Sequence, residues 1–327
     1  MSRRSFPQRR LKAFDLFCGV GGSSRGAVTA GVDVVGAIDM WDLARATYLD
    51  NFPHTKFYQA RCESLHPKLI KEEIGKIDLL LASPECTSHT CAKGSSPRSE
   101  KSRATAFEVV RFARVFKPRW IVVENVVHMR SWRRFNTWLW SLQQLGYETR
   151  LQVLNAADFG VPQTRRRLFI TADLQGIPPV IKPGKIARIP IAELIESDNG
   201  FPCSPLRSRG RAKPTLARAQ RAIRSLGPCE PFLIVYYGSD AAGGWQRLDR
   251  PLRTITTVDR FGYVRPTKNG HELRMLQVPE LKAAMGFPAE HDISQGTRRE
   301  RIKLIGNAVC PPVIRAVIEA LTAASPS

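Results

Sequence analysis

Apolar residues along this chain gather into short runs that end on glycine-rich or polar breaks, and longer stretches with helical spacing lie between them. Leu11–Phe17 alternates and runs into Cys18-Gly19-Val20-Gly21-Gly22-Ser23-Ser24, after which Arg25–Gly31 has helical character. Val32–Met40 predicts a second strand carrying Asp39 at its end, Leu43–Asn51 a helix, and Lys56–Tyr58 the start of a third strand. Ile77–Ala82 is an apolar run cut off by Ser83-Pro84, the pattern of a buried parallel strand entering a loop. Phe107, Val110, Phe112 and Val115 give Ala104–Phe116 the spacing of a helix. Arg119–Val123 then predicts a fifth strand, Arg133–Leu145 a Trp- and Leu-rich helix, and Tyr147–Asn155 a further strand. In Phe159–Thr171 three consecutive arginines enter a strand, and alternation puts Arg165 and Arg167 on one face and Arg166 on the other.

The candidate chemistry sits where these strands end. Cys86 falls just past Ile77–Ala82, behind Pro84, at the end of an α/β sheet where ligands bind. Flanked by Thr87, Ser88, His89 and Thr90, its thiol is placed like a nucleophile, although a free cysteine is more often a small buried apolar residue. Glu124 repeats the pattern at the next strand, as a helix-capping carboxylate or an active-site one. The turn Gly19–Gly22 lets backbone approach a nucleotide-like ligand, but its spacing departs from the dinucleotide fingerprint because position 24 is Ser. Asp15 precedes the turn inside its strand, Asp39 suits a ribose hydroxyl pair, and Trp41 offers a face for a purine.

Charge sharpens the picture. The 327 residues hold 50 Lys and Arg against 29 Asp and Glu, a net charge of +21, which points to a polyanionic partner, nucleic acid first. A membrane surface is the rival, disfavoured because no amphipathic Lys/Arg helix with a large apolar face is found and no run approaches the length of a membrane span. Seven cysteines without a C-x-x-C pair argue against a disulfide framework and a zinc site, so no metal is expected and a reducing compartment is. Residues 1–12 are basic without an apolar core, unlike a signal peptide, so a soluble cytoplasmic protein is expected. Gly94–Arg103 is a polar basic loop that closes over a substrate or is simply solvated. From Ala172 to about Gly270 Pro, Gly and Arg rise, and Pro202–Arg224 carries many arginines and no acid.

Five blocks come in an order and approximate spacing that resembles the C5-cytosine-specific DNA methyltransferases: F-D-L-F-C-G-V-G-G (14–22), S-P-E-C (83–86), E-N-V (124–126), Q-T-R-R-R (163–167) and G-N-A-V-C-P-P-V (306–313). The resemblance covers nearly the whole chain. It implies an α/β fold of the class I methyltransferase (Rossmann-like) type, a mostly parallel sheet with helices on both faces, plus a smaller irregular target-recognition domain. The expected divisions are a basic arm at 1–10, a catalytic domain that binds S-adenosylmethionine at 11–172, the recognition domain at 173–270 and a return to the catalytic domain at 271–327.

By the same resemblance Cys86 adds to carbon 6 of a flipped cytosine, Glu124 holds its N3 and amino edge, and Arg167 binds O2. Arg165 orients the loop and helps lower the thiol pKa. S-adenosylmethionine is expected over Asp15, Phe17, Gly19, Gly21 and Gly22, with Asp39 on the ribose, Trp41 on the adenine and Asn307 closing the pocket. Double-stranded DNA is expected to meet Thr90, Gln163, Arg207, Arg209, Arg211 and Lys213. Arg250–Thr257 resembles a strand before the return, and Glu280–Phe287 the helix before the closing block.

Three departures from the family pattern stand out. Glu85-Cys86-Thr87 replaces Pro-Cys-Gln, and Glu85 is expected to point away because a carboxylate raises a nearby thiol's pKa. Arg61, Cys62 and Glu63 leave the contact to the adenine amino group open, and Asp39 stands where a longer Glu is usual. The expected role is a monomeric DNA methyltransferase of restriction-modification or epigenetic marking, with a restriction endonuclease acting separately. The alternatives are a tRNA methyltransferase of the same family and a non-catalytic DNA-binding relative.

Overall fold

A computed structural model describes residues 9–85, 99–195, 200–238 and 243–323, apart from the side chain at 101. Strands β1 (Lys12–Leu16), β2 (Asp33–Asp39), β3 (Lys56–Gln59), β4 (Leu79–Ala82), β5 (Trp120–Asn125), β6 (Glu148–Asn155) and β7 (Arg166–Asp173) form one sheet in the order 3-2-1-4-5-7-6. The first five run parallel, while β7 pairs antiparallel with both β5 and β6. The order turns back beside β1, which has β2 on one side and β4 on the other. A crevice opens beyond the strand ends at such a point.

The inner strands are apolar on both sides because both sides are covered. Ala13, Leu79, Leu81 and Val122 pack toward α1 (Gly22–Thr29) and α2 (Asp42–Asn51). Their neighbours Phe14, Leu16, Leu80, Ile121 and Val123 pack on the other face with residues of α5 (Phe107–Phe116) and α6 (Phe135–Gln143). Phe14 stacks at 5.9 Å on Phe112 and at 5.8 Å on Phe116. Two helices in this layer depart from the sequence expectation. The segment α3 (Pro67–Ile74) was not foreseen, and α4 (Glu100–Ala104) lies mostly in the stretch expected as a loop, while the helix expected over Ala104–Phe116 is α5.

The segment expected to recognise DNA is more regular than its composition suggests. Strands β8 (Ser204–Pro205), β9 (Phe232–Val235), β10 (Trp245–Arg247), β11 (Phe261–Thr267) and β12 (Gly270–Met275) form an antiparallel sheet in the order 10-9-11-12-8, which runs past the expected boundary at 270. Leu233, Val235, Phe261 and Tyr263 join the main core, while Phe232, Ile234, Val264 and Leu273 face α7 (Lys213–Leu226). This helix corrects the expectation that the chain has no basic amphipathic helix. Leu216, Ala219, Ala222, Ile223 and Leu226 form an apolar stripe between arginines, and the small sheet covers that stripe.

Arg250–Thr257 is not the expected strand. It makes an isolated parallel bridge, Gln163 to Leu252, with the Leu252 amide donating to Pro162 O at 2.9 Å and its carbonyl accepting the Thr164 amide at 2.7 Å. Past β12 the chain forms α8 (Val278–Ala284), α9 (Arg298–Asn307) and α10 (Pro311–Ala323). Arg298–Ala323 is long and apolar enough, by composition alone, to cross a membrane, with a window of mean hydropathy 1.5. Here 67% of that window is buried, and Ile302, Ile305, Val313, Val317 and Leu321 belong to the main core.

One buried ion pair joins the small sheet to this closing segment. Arg274 on β12 donates to both oxygens of Glu280 on α8 at 2.7 and 2.8 Å, and Glu280 also accepts the Gln277 amide at 2.6 Å. Replacing Glu280 with Ala strands a buried guanidinium, so urea denaturation should show a loss of roughly 3–5 kcal/mol. An unchanged midpoint would show that solvent already serves Arg274.

Candidate active site

A cavity of about 190 Å³ lies beyond the C-terminal ends of β1, β2, β4 and β5, and Phe17, Gly19, Asp39, Trp41, Glu85, Glu124 and Asn307 are among its lining residues. Its floor is the turn after β1. Phe17 sits at φ 60°, a conformation an aromatic residue rarely adopts. The surroundings hold it there: the Ser83 hydroxyl donates to the Phe17 carbonyl at 3.0 Å, and the Cys18 amide donates to Ile38 O at 3.0 Å. Gly19 is also left-handed, and a Cβ built on it meets nothing within 4 Å, so its backbone faces open space.

Gly21 and Gly22, expected at the cofactor, do not line the cavity. A Cβ on Gly21 would lie 2.4 Å from the Phe52 ring, and one on Gly22 would lie 2.2 Å from Val309 O. They are glycines because other parts of the chain press against them. Asp39 is at the cavity edge, where its Oδ2 accepts the Gly19 amide and its Oδ1 the Trp41 amide, each at 2.9 Å. Burial pushes the Asp39 carboxyl up, those backbone bonds pull it down, and the nearby charge of Glu85 adds to the rise. Trp41 lines the cavity with Lys303 Nζ 4.5 Å from its ring centroid, a cation–π contact the sequence did not suggest.

Asp15 is likewise displaced from its expected role. It is fully buried beneath the turn, outside the cavity lining, and its Oδ2 accepts the Ser24 hydroxyl at 2.7 Å. The Ser24 oxygen is also 2.7 Å from Tyr48 Oη, while Asp15 Oδ1 has no hydrogen-bond partner among the described residues.

A second cluster forms where β5 meets β7. Glu124 is 7% exposed, with Arg167 Nε 3.1 Å from its Oε1. Burial raises the Glu124 carboxyl, opposed first by Arg167 and then by Arg165. Arg165 does not share the exposure of its neighbours. Its guanidinium is buried and donates to Ile255 O at 2.9 Å, Gly306 O at 2.9 Å and Ala308 O at 3.1 Å. These bonds make it a clamp on the 306–308 turn. Asn125 reaches across from β5, donating to Pro84 O at 2.9 Å and so tying together the two strand ends that carry Glu124 and the cysteine block. Its place in E-N-V was the available signal for that role.

Cys86 and Thr90 lie outside the described residues. The description reaches Glu85, which lines the cavity with Asp39 and Glu124; its expected orientation away from the Cys86 thiol falls on residues outside the description. Gln163, expected to touch DNA, is fully buried: its amide donates to Ala284 O at 3.1 Å and accepts the Ile255 amide at 2.9 Å. A side chain enclosed in this way cannot reach a groove.

The basic residues expected to meet DNA divide. Arg207, Arg209 and Lys213 are exposed, whereas Arg211 is braced against Ser204 Oγ at 2.8 Å and Pro205 O at 3.1 Å. Arg211 thereby lies against β8, at one edge of the small sheet, and Lys213 begins α7. At the opposite edge, beside β10, opens a groove of about 800 Å³ lined by Thr164, Arg188, Tyr237, Trp245, Arg247 and Arg253 among others. Thr164 adjoins Arg165, so this groove neighbours the Glu124–Arg167 cluster, whereas β8 lies roughly 19 Å away across the sheet. Scattered aromatic and basic residues gave no linear signal of it.

Burial pushes the Asp15 carboxyl up to about 7, with the Ser24 bonds opposing. An acid whose folded pKa lies above its unfolded value holds extra protons in the native state, so its contribution to stability falls as pH rises from about 4 to about 7. Relative to the natural chain, Asp15→Asn should therefore gain stability over that window, checked by urea denaturation at several pH values. A pH-independent difference would place the Asp15 titration elsewhere.

Comparison with known proteins agrees with this arrangement. The model for "C-5 cytosine-specific DNA methylase" matches residues 11–323. The chain is 28% identical over 309 residues to the type II methyltransferase M.NgoBI of Neisseria gonorrhoeae, covering 93% of this chain and 91% of that protein. It is 32% identical over 178 residues to the type II methyltransferase M.AgeI of Thalassovita gelatinovora, which is 52% of this chain and 41% of that protein. Among solved structures, a DNMT2 mutant of Spodoptera frugiperda has the same fold, with a TM-score of 0.69 at 18% identity over 95% of this chain and 99% of that one. With the match running from β1 to the last turn of α10, the chain belongs to the C-5 cytosine-specific DNA methylase family.

Proposed function

We propose that this chain methylates carbon 5 of cytosine in a short double-stranded DNA site, with S-adenosylmethionine as donor. The observation that carries the reading is the Glu124–Arg167 pair, 3.1 Å apart at the mouth of β5, beside a cavity that offers Gly19 backbone, Asp39 and Trp41. A carboxyl facing a guanidinium matches the N3 and O2 edge of an extruded cytosine. The cavity suits the cofactor: open backbone at Gly19, an aromatic face at Trp41 and a carboxylate at Asp39 for a ribose diol.

Carbon 5 of cytosine is a weak nucleophile. The Cys86 thiolate adds to carbon 6, forming the S–C6 bond, and the displaced π electrons move through carbon 5 into the ring. Glu124, whose carboxyl burial raises, donates a proton toward N3 as that charge accumulates, while Arg167 neutralises charge at O2. When bound, S-adenosylmethionine supplies the methyl group as a sulfonium. Loss of the carbon 5 proton to solvent, expulsion of Cys86 as the thiolate and return of the N3 proton to Glu124 then restore the aromatic ring and both side chains.

The groove beside β10 is the surface proposed to hold the DNA backbone, through Arg188, Arg247, Arg250 and Arg253, with Trp245 and Tyr237 offering faces to bases. The type II relatives favour a role in restriction-modification, with a cognate endonuclease acting separately.

Labelled S-adenosylmethionine with duplex DNA or tRNA tests the activity. The natural chain should label DNA, Cys86→Ala should label none, and Glu124→Gln should slow the reaction by about 10²-fold or more. Full methylation by Cys86→Ala, or label in tRNA alone, would overturn the proposal. In the salt dependence of DNA binding, replacing both Arg247 and Arg250 with Ala should lower the logarithmic slope by about 1–2. An unchanged slope would move the contact to the β8 edge.

A further inference from the structure

The cavity carries an acidic lining in a strongly basic chain. Asp39, Glu63, Glu85 and Glu124 line it against a single guanidinium, Arg61, while the net charge of the whole chain is +21. Three of the four carboxylates have partners. Asp39 holds the amides of Gly19 and Trp41, Glu124 faces Arg167, and Glu63 lies 3.8 Å from Arg61. Glu85 is half-buried and has no hydrogen bond or ion pair among the described residues. It also stands next to Cys86, where a negative charge works against forming a thiolate. A charge that adjoins the nucleophile in sequence and pairs with nothing among the described residues is explained if it pairs with something the cavity binds.

We propose that Glu85 determines which form of the cofactor the cavity prefers: its carboxylate favours the cationic sulfonium of the methyl donor over the neutral thioether left after transfer. The inference rests on the reading that this cavity takes S-adenosylmethionine. Donor and product share adenosine, ammonium and carboxylate groups, and differ by one methyl group and one positive charge on sulfur. A carboxylate close to that sulfur therefore separates them without changing the fit to the rest of the molecule. A single half-buried charge a few ångströms away is worth roughly tenfold in affinity. Repulsion from Asp39 raises the negative potential further and is relieved when a cation arrives. Discrimination of this kind clears product from the site so that a new donor can enter.

Calorimetric titration of the full chain with S-adenosylmethionine, S-adenosylhomocysteine and sinefungin, which carries an ammonium where the donor has its sulfonium, tests this directly. Glu85→Gln should weaken both cationic ligands roughly tenfold and leave S-adenosylhomocysteine within about twofold. Glu85→Asp, which keeps the charge, should retain most of the preference. Equal losses for all three ligands in Glu85→Gln, or an unchanged ratio between them, would overturn the assignment. If the natural chain binds none of the three, the cofactor reading itself fails and takes this inference with it, a result distinguishable because it appears before any variant is measured.

Discussion

The close approach of backbone to backbone at a few glycines is the constraint on which the rest of the site depends. Gly22 lies against Val309 and Gly306 against Thr256, so that a Cβ at either position would come within 2.3 Å of a carbonyl oxygen. At Gly26 a Cβ would come within 2.6 Å of Pro311 O. These contacts press the segment before α10 onto the turn after β1, although almost the full length of the chain separates the two. Arg165 completes the junction by serving carbonyls from both 255 and 306–308. Asn307 then lines the same cavity as Phe17 and Gly19.

The same junction explains why the Q-T-R-R-R block does two jobs. Gln163 and Arg165 turn inward and satisfy buried backbone groups, whose desolvation costs more than an ordinary hydrogen bond returns. Arg167, two residues further on, turns to Glu124. Support and chemistry therefore share one short segment, and a shift in the clamp moves the carboxylate's partner. His291 has a related supporting role. It is fully buried, its Nε2 lies 3.0 Å from Val20 O in the glycine turn, and burial followed by the charge of Arg25 lowers its pKa to about 4. A neutral imidazole thus donates to that carbonyl while its Nδ1 accepts from Arg25 at 3.3 Å.

Electrostatically the molecule is divided. Arginines dominate the groove beside β10 and the edge near β8, while carboxylates dominate the cavity. A uniform positive field would attract a polyanion but repel a cationic donor. Opposite local signs allow a single chain to present suitable surfaces to both.

Much of the large sheet was legible in the sequence because period-two alternation, glycine turns and strand-ending prolines are local signals. Most strands there lie within a residue or two of their expected bounds, and Glu124 falls at the end of β5 as its apolar run implied. The smaller unit was not legible. Its strands β8 and β10 are only two and three residues long, and its helix α7 conceals an apolar stripe among arginines, so local composition resembled an irregular loop. The order of blocks and the residue types at strand ends were settled by the sequence alone, since those depend on neighbours in the chain. Which arginine faces the carboxylate, which is enclosed, that Gln163 is buried and that Glu85 faces the cavity were decided only by the tertiary structure. Each of those outcomes turns on contacts between segments far apart in sequence, and side-chain direction at a strand's mouth follows from what closes over it.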